Sequence, residues 1–181
     1  MKKQILPLML VLVFALTTKA QNNTFTEGDK VLNLGLGIGS TLYTGNAYGS
    51  TVPPLSASIE FNVVDELFDE SSSIGVGGYL GYAGYDYRLS GTDYGFNNII
   101  LGGRGALHYQ FIDNLDTYAG LLLGYRVVNW NSQDTFGSAA SGGFISAFYV
   151  GGRYYFNENI AGMVELGYGI AYLNLGVAFR F

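Results

Sequence analysis

Period-two alternation constrains this chain more than anything else in it. Leu32, Leu34, Leu36 and Ile38 point one way, and Asn33, Gly35, Gly37 and Gly39 point the other. Leu55, Ala57, Ile59, Phe61 and Val63 oppose Ser56, Ser58, Glu60 and Asn62. Ile99, Leu101, Leu107, Tyr109 and Phe111 oppose Asn98, Gly102, Arg104, His108 and Gln110, and Leu173 to Phe181 repeats the pattern. An apolar side chain every second residue is the signature of a β-strand with two unlike faces. Helical spacing fits none of these stretches, and glycine at this frequency would cost a helix roughly 1 kcal/mol per residue.

A longer period lies above the first. Leu-Gly-Tyr occurs at 80–82, 123–125 and 166–168, each 43 residues after the last, and one further step back lands on Gly37-Ile38-Gly39. Between repeats a strand ends on an aromatic (Phe61, Phe111, Phe156), a turn of Asp, Asn or Glu follows, and a new strand rises. Each period is therefore a strand pair, and four periods make eight strands. The expected strands are 30–43, 54–64, 73–87, 96–111, 117–130, 143–156, 160–170 and 172–181. The connections at Thr44 to Pro53, Ser90 to Tyr94 and Asn131 to Gly142 are rich in Gly, Ser, Thr and Asn and read as longer loops. A propeller has a similar repeat length but needs four strands per repeat and His and Trp signatures. One His and one Trp in 181 residues exclude it.

The two faces differ in kind. The apolar face carries no charge, whereas the other holds Glu60, Arg104, His108, Arg126, Arg153, Glu165 and Arg180 among Gly and Ser. A soluble lipocalin-like barrel would turn the apolar face inward, and a membrane barrel turns it outward. Glycine on the polar face suits the crowded interior of an eight-stranded barrel. Aromatics also sort by strand end: Phe61, Tyr109, Phe111, Tyr154, Phe156, Phe179 and Phe181 at one, Tyr82, Tyr125, Tyr168 and Tyr172 at the other. Two girdles at two bilayer interfaces explain that sorting. Only 13% of residues are charged, too few to cover an ordinary soluble globule. The expectation is an all-β, eight-stranded antiparallel up-and-down transmembrane β-barrel. In it Leu121→Arg should be costly and Gly120→Ser cheap.

Residues 1–20 read as a secretory signal peptide: Lys2 and Lys3, the apolar run Ile5 to Leu16, then Thr18-Lys19-Ala20. The run is too short to span a bilayer as a helix. The barrel domain is then 21–181. Without Lys2, Lys3 and Lys19 it holds 6 basic and 14 acidic residues, net −8, which disfavours nucleic acid as a partner. The absence of Cys excludes disulfide staples.

The last eight residues, Asn174-Leu175-Gly176-Val177-Ala178-Phe179-Arg180-Phe181, place a polar residue, a Gly and two aromatics where the terminal assembly signal of Gram-negative outer-membrane barrels has them. With the leader and the hairpin period, the chain resembles the small porin-like outer-membrane barrels of the OmpX and OmpA-barrel type over its whole mature length. The resemblance implies an outer-membrane location, insertion by the barrel-assembly machinery, short periplasmic turns and outward loops. It further implies a monomer whose partner is outer-membrane lipid, with Asn174, Gly176, Phe179 and Phe181 as assembly signal and Tyr82, Tyr125, Tyr168, Phe111 and Phe156 at the lipid interface.

Chemistry is sparse. The inward Glu60 and Glu165 are expected to pair with Arg104, Arg126, Arg153 and Arg180, with Tyr and Ser support, as a polar core that fills the lumen. As a channel lining, two acids against four bases would favour anions weakly, unless Asp or Glu from the turns rebalances them. His108 faces the lumen low on its strand with no serine neighbour evident, so a lipid-modifying enzyme is disfavoured. One His, no Cys and no HExxH argue against a metal site. No cofactor motif is present: Gly77-Gly78 matches neither nucleotide fingerprint, and Asp65, Glu66, Asp69 and Glu70 lack calcium-loop spacing. Nothing in the chain names a surface ligand.

Overall fold

The computed structural model describes residues 24–43, 45–89, 92–130 and 141–181. The expected leader, residues 1–20, lies outside them. Eight strands run in chain order: β1 Lys30–Ser40, β2 Tyr48–Asp65, β3 Ser72–Leu89, β4 Thr92–Ile112, β5 Leu115–Trp130, β6 Ser141–Tyr155, β7 Ile160–Tyr168 and β8 Ala171–Arg180. Each pairs antiparallel with its neighbour, and β8 pairs with β1 from Val31↔Arg180 to Ser40↔Ala171, closing the barrel. Lys30 and Phe181 exchange both backbone hydrogen bonds at 3.0 and 3.1 Å, so closure extends to the last residue. A closed barrel leaves no sheet edge along this seam.

The register fixes the tilt. Leu34 lines up through Ala57, Leu80, Leu101 and Tyr125 with Phe144 on β6. The other way round it lines up through Val177 and Gly162 with Tyr154 on the same strand. The two paths arrive ten residues apart, the stagger that tilts strands by some 35–45° in a barrel.

Direction is unambiguous. Leu101, Leu123 and Val177 are 66%, 69% and 42% exposed on the outer wall, while Arg153 and Glu60 are fully buried within. Tyr82, Tyr125, Tyr168, Phe111 and Phe156 are all exposed on the same outer wall. The exterior is thus an apolar band edged by aromatics, a surface suited to hydrocarbon rather than water.

The wall is taller on one side than the sequence suggests. β2 starts at Tyr48 and β4 at Thr92, so most of the expected loop Thr44 to Pro53 and part of Ser90 to Tyr94 are strand. Pro53 and Pro54 sit above Leu36↔Leu55, where β2 has no β1 partner and a missing N–H costs nothing. Register shifts at Ser50/Val52 and Val52/Leu55 absorb the irregularity. β1, conversely, stops at Ser40 instead of 43: Gly39 adopts φ +70° and the chain folds inward. The other end is tight. β4 and β5 are joined by Asp113-Asn114, with Asn114 at φ 63°, a left-handed position that Asn tolerates. Of the loop expected at Asn131 to Gly142, residues 131–140 lie outside the described ones, and Ser141 and Gly142 belong to β6.

Candidate lumen site

Alternation sends one residue in two of every strand into the barrel. Glu60 arrives from β2, Arg104 and His108 from β4, Arg153 from β6 and Glu165 from β7. All five, expected from the sequence to face the lumen, meet there. A sixth charge completes them: Asp116 at the start of β5, 1% exposed. Sequence reading begins that strand at 117 and leaves Asp116 in the turn. The signal available was its parity with Tyr118, Gly120 and Leu122.

The geometry is that of one connected network. Arg153 Nη2 donates to both Glu60 carboxylate oxygens at 3.0 Å, and its Nη1 donates to Asp116 Oδ2 at 3.2 Å. His108 lies between the same two acids, Nδ1 2.8 Å from Asp116 Oδ1 and Nε2 2.7 Å from Glu60 Oε1. Carboxylate oxygens close to both ring nitrogens are the surroundings of an imidazolium, with Nδ1 in hydrogen-bonding geometry to Asp116 and Nε2 in close approach to Glu60 without it. Arg104 Nη2 donates to Glu165 Oε1 at 2.7 Å, its Nη1 to Ser58 Oγ at 3.2 Å and its Nε to the Tyr149 hydroxyl at 3.0 Å. Arg104 Nε also lies 3.4 Å from Glu60 Oε2, joining the two halves. Tyr118 donates to Glu165 Oε1 at 2.9 Å. Aromatic faces complete the shell: Arg104 sits 4.2 Å over Tyr149 and Arg153 4.6 Å over Tyr118. Tyr and Ser do support the pairs, as expected.

Arg126 and Arg180 stand apart from this network. Arg126 lies at the loop end, 5.3 Å over the Tyr43 ring. Arg180 sits at the turn end, donating to Glu158 O at 2.8 Å and lying 3.8 Å from Asp29 Oδ2. Among the described residues the buried set is therefore three carboxylates against two guanidiniums and one imidazolium. Asp116, an acid the sequence left in a turn, supplies the rebalancing that the sequence left open, and Arg126 and Arg180 fall outside the set; the expected excess of four bases over two acids is corrected, and with it the weak anion preference. A neutral, mutually paired set can leave water at tolerable cost, where an unbalanced one could not.

Glycine makes room for these groups. A Cβ on Gly75 would come 2.7 Å from Glu60 Oε1 and 2.9 Å from His108 Nε2. A Cβ on Gly120 would run into the Tyr149 ring. The expectation that Gly120→Ser is cheap is therefore wrong: the added atom must push Tyr149 off Arg104 and also displace the Gly105 backbone carbonyl on β4. We expect Gly120→Ser to lose about 1–3 kcal/mol in urea unfolding, as overpacked interiors do. An unchanged midpoint would show that Tyr149 and the Gly105 carbonyl can both give way freely.

Both mouths are covered. At the loop end Tyr43 packs on Tyr85 and Phe96 with ring centroids 4.9 and 5.0 Å away, and its hydroxyl donates to Asn98 at 3.1 Å. At the turn end Phe25, ahead of β1, is 4% exposed inside the barrel. Between them Tyr79, Ile100, Leu122 and Ile170 pack an apolar layer over the charges. The cavities beside His108 and beside Arg104 hold only about 10 and 30 Å³. Sequence reading missed this apolar filling because Ile100 and Leu122 look like outward residues by type. Only parity places them inside.

The assembly residues also have a structural reading. Phe179 and Phe181 face outward. Gly176 lies against the β1 backbone, where a Cβ would collide with Leu34 O. Asn174 points inward and borders the cavity beside Arg104.

No family model matches the chain, and no curated protein matches it in sequence. Solved structures do match in fold. One is the N-terminal β-barrel domain of Pseudomonas aeruginosa OprF, with TM-score 0.53 at 15% identity, covering 86% of this chain and 98% of that one. Another is Ail, the attachment invasion locus protein of Yersinia pestis, solved in complex with the heparin analogue sucrose octasulfate. It gives TM-score 0.55 at 12% identity over 86% of this chain and 100% of Ail. The outer membrane protein OprG from Pseudomonas aeruginosa gives TM-score 0.53 at 10% identity, over 88% and 99%. The likeness is one of fold: this chain has the architecture of the small eight-stranded outer-membrane barrels.

Proposed function

We propose that this chain, built on the small outer-membrane barrel fold, is an integral outer-membrane protein with a closed lumen and a structural or surface-interaction role. The observation that carries the reading is the pairing of an apolar, aromatic-edged exterior with a charge-balanced interior plugged at both mouths. The exterior calls for lipid as its partner, and the interior leaves no wide path for solute. On this reading the turn end faces the periplasm and the raised wall faces outward. The chain is exported by its leader and works as a monomer.

Planar-bilayer recording of the refolded protein tests the closed lumen. The expected trace is flat apart from rare, irregular openings. Steady single-channel steps would replace this reading with a narrow channel.

An enzymatic role has little support. Ser73 pairs with His108 across β3 and β4, a neighbour that sequence reading did not find. Both ring nitrogens nevertheless face carboxylates, so neither is available to take a proton from a hydroxyl. A polysulfated ligand such as Ail accepts is also a poor match. Of the basic residues after residue 20, Arg104 and Arg153 are buried, and Arg126 and Arg180 belong to the two mouths. Only Lys30 and Arg88 remain.

For assembly, Asn174, Gly176, Phe179 and Phe181 act as the signal read by the insertion machinery. Deleting Phe181 removes the last backbone exchange with Lys30 and should sharply lower the membrane-inserted fraction on heat-modifiability gels. Insertion at the wild-type level would remove the signal from the account.

A further inference from the structure

Phe25 and its neighbours make more contacts than a passive lead-in to β1 would need. The ring stacks on His108 with centroids 4.6 Å apart, and Arg153 lies 5.8 Å over its face. Around it the backbone is held by side chains from four strands. Gln110 Oε1 on β4 accepts from Thr24 N at 2.7 Å. Arg180 Nη1 on β8 donates to Thr24 O at 2.6 Å. Asn62 Nδ2 on β2 donates to Phe25 O at 3.0 Å, and Ser73 Oγ on β3 does so at 3.5 Å. Val31, Tyr155, Ala161 and Ala178 line the apolar wall beside the ring. These groups read a peptide as a peptide: amide and carbonyl partners for the main chain, and one ring-sized slot.

We propose that the turn-end mouth of the barrel is a receptor for an extended peptide segment carrying an aromatic residue, and that the chain fills it with its own Thr24–Phe25 as a displaceable cork. The wall strands are tied by ladder hydrogen bonds on both sides. Among the described residues Thr24 and Phe25 have no backbone partner and are held by side chains, and a segment anchored this way opens at far lower free energy than the strands around it. Opening uncovers the His108–Asp116 end of the charge network without unpairing any strand. Which compartment that mouth faces follows from the proposed outer-membrane orientation; the cork itself does not depend on it.

The chain has no cysteine, so one introduced thiol reports on the mouth alone. Ser73→Cys places it under the cork, at a site 5% exposed, and gives up only the longest of the four side-chain anchors, leaving those from Gln110, Arg180 and Asn62 in every variant but Asn62→Ala. In the refolded full chain a water-soluble methanethiosulfonate should label it slowly. With Phe25→Ala added, labelling should speed up by about tenfold or more, because reaction no longer waits for a rare opening. A synthetic peptide of residues 22–29 should slow labelling of that double variant again, and the same peptide with Ala in place of Phe should not. Should Phe25→Ala fold poorly, Asn62→Ala keeps the ring and removes one anchor, and it should speed labelling by a smaller factor. Three results would overturn the proposal. The Ser73→Cys thiol could label at the free-thiol rate with Phe25 in place. It could stay protected in both folded variants. The peptide lacking Phe could protect as well as the native one.

Discussion

Glu60→Ala unfolds at a much lower urea concentration than the wild type, with a loss of about 3–5 kcal/mol. One carboxylate there faces Arg153, Arg104 and His108, all buried. Removing it leaves three cationic groups with two acids, in a space where water cannot take over. The cost comes from the charges stranded rather than from the bonds lost, which gives the prediction a second part. The double variant Glu60→Ala/Arg153→Met should cost clearly less than the two single changes added together, because it strands one cation fewer. Arg126→Ala, at the loop-end mouth and outside the network, should stay within about 1 kcal/mol of wild type. Fluorescence of the single Trp130 follows the transition in vesicles. Equal losses for Glu60→Ala and Arg126→Ala would mean that the interior is wet and the network contributes little.

The second large effect lies on the opposite face of the wall. Leu121→Arg should destabilise the inserted barrel by about 2–4 kcal/mol, since Leu121 lies mid-strand on β5 and points outward at 61% exposure. A guanidinium there must sit in hydrocarbon or drag water and headgroups toward it. Val127→Arg, on the same face of the same strand, lies beyond the Tyr125 girdle and should cost no more than about 1 kcal/mol. The ratio between the two separates a membrane exterior from a surface that merely happens to be apolar. In a water-facing barrel both arginines would be harmless.

Most of the architecture was legible because strand parity is a strong signal when the two faces meet different solvents. Leu101 against Arg104 and Leu123 against Arg126 fix the inside and the outside without any contact information. Parity carries less at the ends. β2 and β4 run past the points where the stretches Thr44 to Pro53 and Ser90 to Tyr94 suggested loops, because cross-strand pairing on β3 overrides local turn preference. Asp116 was hidden by the same uncertainty of a residue or two at a strand start. Phe25 had no local signal at all: it lies outside every strand, and only the long-range arrangement of Gln110, Arg180 and Asn62 explains its burial. The glycines were legible as a crowded interior. Which ring each one accommodates was not, since the meeting of Gly120 and Tyr149 depends on the β5–β6 register.

The wall shows hydrocarbon-loving side chains to lipid and charge to its own axis. Spin labels on single cysteines at Leu121, Leu122 and Leu123, in the refolded protein in vesicles, test it directly. Labels at 121 and 123 should be relaxed strongly by bilayer-dissolved oxygen and hardly at all by an aqueous nickel chelate, while the label at 122 should be shielded from both. If 121 and 123 respond to the chelate and 122 responds to oxygen, the wall is inside out and the account fails.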